Sequence, residues 1–141
     1  MIQAKKYIYI TLSVLLFGAT TTAAYKYYLQ HEVDTQLAEL QFAKSAWLER
    51  RSSNYSYVVE QACMMGESYL VEHKDGQVKF SGIDGLPHEK NRRQILDIFE
   101  LAKRVISEAY DYEISFSDNG YPDYIGVDWS ESVVDDECFV T

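Results

Sequence analysis

The chain has 141 residues, with 22 acidic against 13 basic side chains and a formal net charge of −9. From Val105 to the end it carries ten acidic residues and no Lys or Arg, so the counterion release that drives nucleic-acid binding has no cationic face to act through. The length leaves room for one domain behind a short leader.

Lys5 and Lys6 precede an apolar run over residues 7–17, which gives way to small residues over 18–24. Basic, apolar and small segments in that order form an export signal, with a cleavage site near Ala24. The competing reading is an uncleaved anchor, because these residues in a helix would reach roughly 27 Å, close to the thickness of a hydrocarbon core. Tyr25, Lys26, Tyr27 and Tyr28 would then form an interfacial belt of aromatic rings and a snorkelling lysine. The expectation carried forward is a signal anchor or signal peptide over 1–28 and a single α+β domain over 29–141. It makes the chain a single-pass membrane protein with an extracytoplasmic, periplasmic C-terminal domain. Secretion after cleavage near Ala24 is the alternative.

Residues 30–51 contain no Pro or Gly, and Val33, Leu37, Leu40 and Trp47 recur at helical spacing. Lys44, Arg50 and Arg51 fall in the second half of that helix, where cations complement the C-terminal dipole. Strands are predicted over 55–63, 68–73 and 77–81 from their Tyr, Val and Phe, and Asp75-Gly76 supplies the positive φ of a tight hairpin. Residues 81–88 read as a loop. Asn91, with Gln94 three residues on, predicts the cap of a second helix whose buried stripe is Ile95, Phe99, Ala102 and Ile106. Three further strands are predicted over 112–140, turning at Asp118-Asn119-Gly120 and ending in an acidic strand, Asp135-Asp136-Glu137. The class is α+β: an antiparallel sheet of about six strands packed on two helices, in the order α-β-β-β-α-β-β-β, after an N-terminal apolar helix.

The residues that carry chemistry are few. Cys63 and Cys138 have no metal-type spacing. In an oxidising compartment they can pair across the sheet, which would constrain the unfolded chain by roughly 4 kcal/mol; two buried free thiols are the alternative. The acidic strand invites a divalent cation, yet the calcium-loop pattern is absent, and charge protecting a sheet edge explains the same residues. His31, His73 and His88 are isolated, and no nucleophile elbow or phosphate-binding glycine loop occurs. No catalytic residue, metal ligand or cofactor is expected. The surplus is in tyrosine, twelve in all. Tyr121 and Tyr124, beside Asp135, Asp136 and Glu137, are the candidate partner-binding set, since such rings offer contact area at low entropic cost.

The ordered set Trp47, Asn54-Tyr55-Ser56-Tyr57, Cys63, Asp75-Gly76-Gln77-Val78, residues 95–100, Gly120-Tyr121-Pro122 and Asp135-Asp136-Glu137 resembles a family of small exported bacterial proteins, domain of unknown function 6174. The resemblance runs from about Trp47 to the end. It implies an envelope location and no activity. Members often carry two near-adjacent cysteines after the first strand, where this chain has Cys63-Met64-Met65, so the resemblance implies Cys138 as the partner of Cys63. Many members are lipoproteins, and no lipidation cysteine follows the leader here. The functional expectation is a membrane-anchored extracytoplasmic binding domain whose partner is an unknown envelope protein. The alternatives are a divalent-cation-dependent enzyme using the acidic C-terminal strand and a secreted structural domain.

Overall fold

The computed structural model describes residues 2–63, 65–83, 92–132 and 138–140; of residues 2–17, 19, 63, 65 and 138 it describes the backbone alone. Two helices and six strands follow one another: α1 (Ile2–Arg50), β1 (Tyr55–Cys63), β2 (Met65–Lys74), β3 (Gln77–Gly82), α2 (Ile95–Glu108), β4 (Asp111–Phe116), β5 (Pro122–Asp128) and β6 (Cys138–Val140). The chain divides into two units, Met1–Gln36 and Leu37–Thr141. The first is the N-terminal part of α1. The second holds the rest of α1 and every other element.

The leader departs from expectation. The apolar run and the helix expected over 30–51 belong to one 49-residue helix, and among the described residues no helix is long and apolar enough to cross a membrane. Past the apolar run α1 exposes polar residues, Thr20, Thr21, Thr22, Lys26, Gln30, His31, Glu32 and Asp34, alongside Tyr25, Tyr27, Tyr28 and Leu29. Their polar groups turn to one another along the helix, Gln30 Nε2 donating to Asp34 Oδ1 at 3.0 Å and Thr35 Oγ1 to the His31 carbonyl at 2.8 Å. The membrane-spanning helix, the single-pass location and the membrane-inserted partner reading are corrected accordingly. The run over 7–17 lies where only backbone is described.

The six strands form one antiparallel sheet in the order β3-β2-β1-β6-β5-β4. Two meanders meet at its centre, where β6 pairs with β1 through Gln61↔Val140 and Ala62↔Phe139, and with β5 through Ile125↔Val140. β2 is longer than its sequence signal and opens at Met65, because its pairing with β1 runs on to Cys63↔Met65. At the β2–β3 turn Asp75 and Gly76 take φ of 52° and 77°, the two positive values that a type I′ hairpin requires. Of the expected closing strand, β6 is described over Cys138–Val140, and Asp135, Asp136 and Glu137 lie outside the described residues. The expected Cys63–Cys138 disulfide falls on two side chains that lie outside the described residues.

The core lies on one face of the sheet. Alternation along the strands buries Val59, Tyr69, Val71, Ile125, Val127 and Val140. α2 faces them with Ile95, Ile98, Phe99, Ala102, Val105 and Ile106, a stripe at helical period. Leu40 and Trp47 of α1 are also buried, and Trp47 meets Phe99 with ring centroids 6.0 Å apart. Lys44 Nζ donates to Glu100 Oε1 at 2.7 Å, joining the two helices. The cap of α2 is Gln94, with Asp97 in the third helical position closing a capping box. The cap expected at Asn91 lies outside the described residues.

Candidate functional site

The second unit has a cleft of about 260 Å³ at the C-terminal end of α1, where four separate pieces of chain converge. The last turn of α1 and its exit supply Trp47, Arg50, Arg51 and Ser52. The start of β1 supplies Tyr55, Ser56 and Tyr57, and Ile95 at the head of α2 forms part of the floor. Asn119 and Tyr121 come from the β4–β5 turn. None of these ten residues is acidic, although the chain as a whole carries 22 acids.

Each wall has its own support. In the turn, Ser117 N–H donates to the Tyr121 carbonyl at 2.9 Å and Gly120 N–H to the Ser117 carbonyl at 2.8 Å. Gly120 itself takes φ of +87°, and a side-chain carbon there would lie 3.5 Å from the Ala43 carbonyl oxygen of α1. The positive φ is what calls for glycine here, while the turn lies within ordinary contact distance of α1 at Ala43 and presents Asn119 and Tyr121 to the cleft. Trp47 is held edge-on to Tyr55 at 6.0 Å and is covered by the Arg51 guanidinium, 5.1 Å from its ring centre. Arg51 Nη1 also reaches Tyr55 Oη at 3.5 Å.

Behind the wall is an aromatic stack. Tyr55 lies on His73 with centroids 4.3 Å apart and planes within 10°, and Tyr57 on the same imidazole at 6.0 Å and 22°. Tyr57 Oη accepts the Ile95 N–H at 3.0 Å, while His73 Nε2 stands 3.5 Å away. Burial pushes the Tyr57 hydroxyl far above the ordinary tyrosine range, only partly offset by the Ile95 hydrogen bond. Desolvation, with Arg51 nearby, holds the His73 imidazole below its ordinary value. Both groups are therefore neutral near pH 7, and the charge in the cleft comes from its arginines.

Residues 39–141 match the sequence profile of a family of unknown function, DUF6174. The chain belongs to this family. No curated protein and no solved structure matches it.

Of the sequence-derived partner-binding candidates, the structure describes the two tyrosines. Tyr121 lines the cleft and is half-buried. Tyr124 belongs to the other face of β5: it pairs with Ser115, and its hydroxyl lies 2.8 Å from where a side-chain carbon on Gly126 would stand. Asp135, Asp136, Glu137 and the two cysteine side chains lie outside the described residues. No group of three His, Cys, Asp or Glu able to hold a metal is brought together among the described residues; the acidic strand on which the divalent-cation reading stood lies outside them. Apart from Tyr121, the residues that form the cleft of this DUF6174 domain were not singled out from the sequence as a site. A signal was available in Trp47, Arg50 and Arg51 standing a few positions before Tyr55-Ser56-Tyr57, but the helix dipole explained the arginines and strand propensity the tyrosines.

Proposed function

We propose that this DUF6174 domain acts by binding, and that its ligand seat is the aromatic–arginine cleft at the C-terminal end of α1. The observation that carries the reading is the composition of that cleft: four aromatic residues and two arginines, with no acid, on a strongly acidic chain. Binding sites are concave, largely apolar and furnished with a few converging polar groups, and Asn119, Ser52 and the guanidiniums are such groups. A non-catalytic role fits the histidines. His73 packs against the Tyr55 and Tyr57 rings, and His31 lies on α1 beside Tyr27 and Thr35.

A structural domain with no ligand is the second reading. Arg51 over Trp47 favours it, because that contact also seals the end of α1. One titration separates the two. The full chain, labelled with ¹⁵N, is exposed to a small panel of ring-bearing compounds that differ in charge. Binding in the cleft moves the Trp47 indole N–H and the Asn119 side-chain amide in a saturable way. A panel that leaves both unmoved at millimolar concentration favours the structural domain and rejects the cleft.

A further inference from the structure

We infer that the group this cleft accepts is a ring-sized moiety bearing a carboxylate. The inference deepens the binding reading above and rests on it.

Charge is the first argument. Among the described residues neither Arg50 nor Arg51 takes part in an ion pair; the two pairs present there use Lys44 with Glu100 and Lys79 with Glu72. The C-terminal dipole of α1 accounts for a share of the arginines' charge, but a helix end carries only about half an elementary charge. Two guanidiniums exceed that, and the cleft contributes no carboxylate to take up the remainder. On a chain of net charge −9, this is a local positive site facing a cavity.

Geometry is the second. Arg51 is flanked on one side by the Trp47 ring and the Tyr55 hydroxyl, which leaves further N–H donors of its fork for a ligand. A guanidinium fork matches a planar two-oxygen acceptor. A dianionic phosphate suits the place less well. Phosphate sites use free backbone N–H groups at helix N-termini, whereas the N–H of Ile95, the one at the head of α2 that borders this cleft, is already taken by Tyr57. The other helix end present, that of α1, directs carbonyl oxygens outward. A monoanion meets less of that opposition.

Size and shape are the third. A cleft of about 260 Å³ holds one ring with a substituent rather than an extended chain. The Tyr55, Tyr57 and Tyr121 rings offer flat apolar walls. An aromatic acid and a hexuronic acid share this chemistry, and titration tells them apart.

The full chain is titrated with benzoate and galacturonate, with benzamide and galactose as their uncharged counterparts, and with phenyl phosphate. The reporters are the Trp47 indole N–H and the Asn119 amide. At least one carboxylate is expected to bind about tenfold more tightly than its uncharged counterpart. The R50Q/R51Q variant, its fold checked by thermal melting, should lose that preference and retain the weak binding of the neutral ring. Arg51→Lys keeps the charge without the fork and should fall between. Equal binding of charged and uncharged rings overturns the carboxylate and leaves the binding reading standing. Tighter binding of phenyl phosphate does the same. A preference that survives in R50Q/R51Q overturns the assignment to the arginines. Silence from all five compounds overturns both readings.

Discussion

Tyr57 reaches from β1 to the first residue of α2, its hydroxyl accepting the Ile95 N–H at 3.0 Å. It is one of three partners of consecutive backbone donors. Tyr69 Oη accepts Arg93 N–H at 2.7 Å, and Asp97 Oδ2 accepts Gln94 N–H at 2.8 Å. A helix start has orphan N–H groups that need acceptors. Here two come from the sheet and one from the helix itself, so the capping of α2 is also its attachment. Tyr57→Phe leaves the Ile95 donor buried without its partner and should cost about 1–3 kcal/mol in urea unfolding. Tyr69→Phe should cost a similar amount. The double variant should cost less than the sum, because releasing either residue loosens the same three-residue segment. Strict additivity would show that the two hydrogen bonds act independently.

Trp47 supports both the core and the cleft. It is 4% exposed and touches Phe99, Tyr55 and Arg51. Trp47→Ala should cost about 3–5 kcal/mol, as large-to-small changes at buried aromatic positions do. Trp47→Phe keeps an aromatic ring and should cost considerably less. If Trp47→Ala unfolds at nearly the same urea concentration as the parent, the end of α1 is not packed as the structure has it.

Two glycines that look equivalent in the sequence should respond differently to alanine. Gly120 has φ of +87°, a conformation that costs an L-residue roughly 1–2 kcal/mol before any contact is counted. Gly126 has ordinary backbone, and its obstacle is the far end of the Tyr124 side chain, 2.8 Å from the added carbon. That phenol can swing away. Gly120→Ala should therefore lower the melting temperature clearly, and Gly126→Ala only slightly. A reversed order would mean that Tyr124 is fixed in place.

What could be read from the sequence was local. Asp75-Gly76 announces its turn because few dipeptides accept two positive φ values. The stripe of α2 announces its buried face because Ile95, Ile98, Phe99, Ala102, Val105 and Ile106 recur at 3.6-residue spacing. The remainder depends on contacts far apart in sequence. Nothing near Gln61 indicates that it pairs with Val140. Gln94 replaces Asn91 as the cap because Tyr57 and Tyr69 fix where α2 begins, and those tyrosines stand in another part of the chain. The cleft was hidden for the same reason. Arg50 and Arg51 had a sufficient local explanation in the helix dipole, and only the approach of the β4–β5 turn to Ala43 closes a cavity around them.

His73 gives the fold a pH dependence whose sign follows from its surroundings. It stacks on Tyr55 and Tyr57, and burial and the Arg51 charge both oppose its protonation, so its folded-state pKa lies below the ordinary imidazole value of 6.5. The unfolded chain then binds the proton more readily than the folded one. The stabilising contribution is complete above the ordinary value, declines as pH falls toward the folded value, and is exhausted below it. Urea midpoints measured from pH 7.5 down to pH 5.5, above the range in which most carboxylates titrate, should therefore decrease with acidification. His73→Gln should flatten that slope. A slope that persists in His73→Gln would assign the proton to another group and would mean that the stack does not hold His73 neutral.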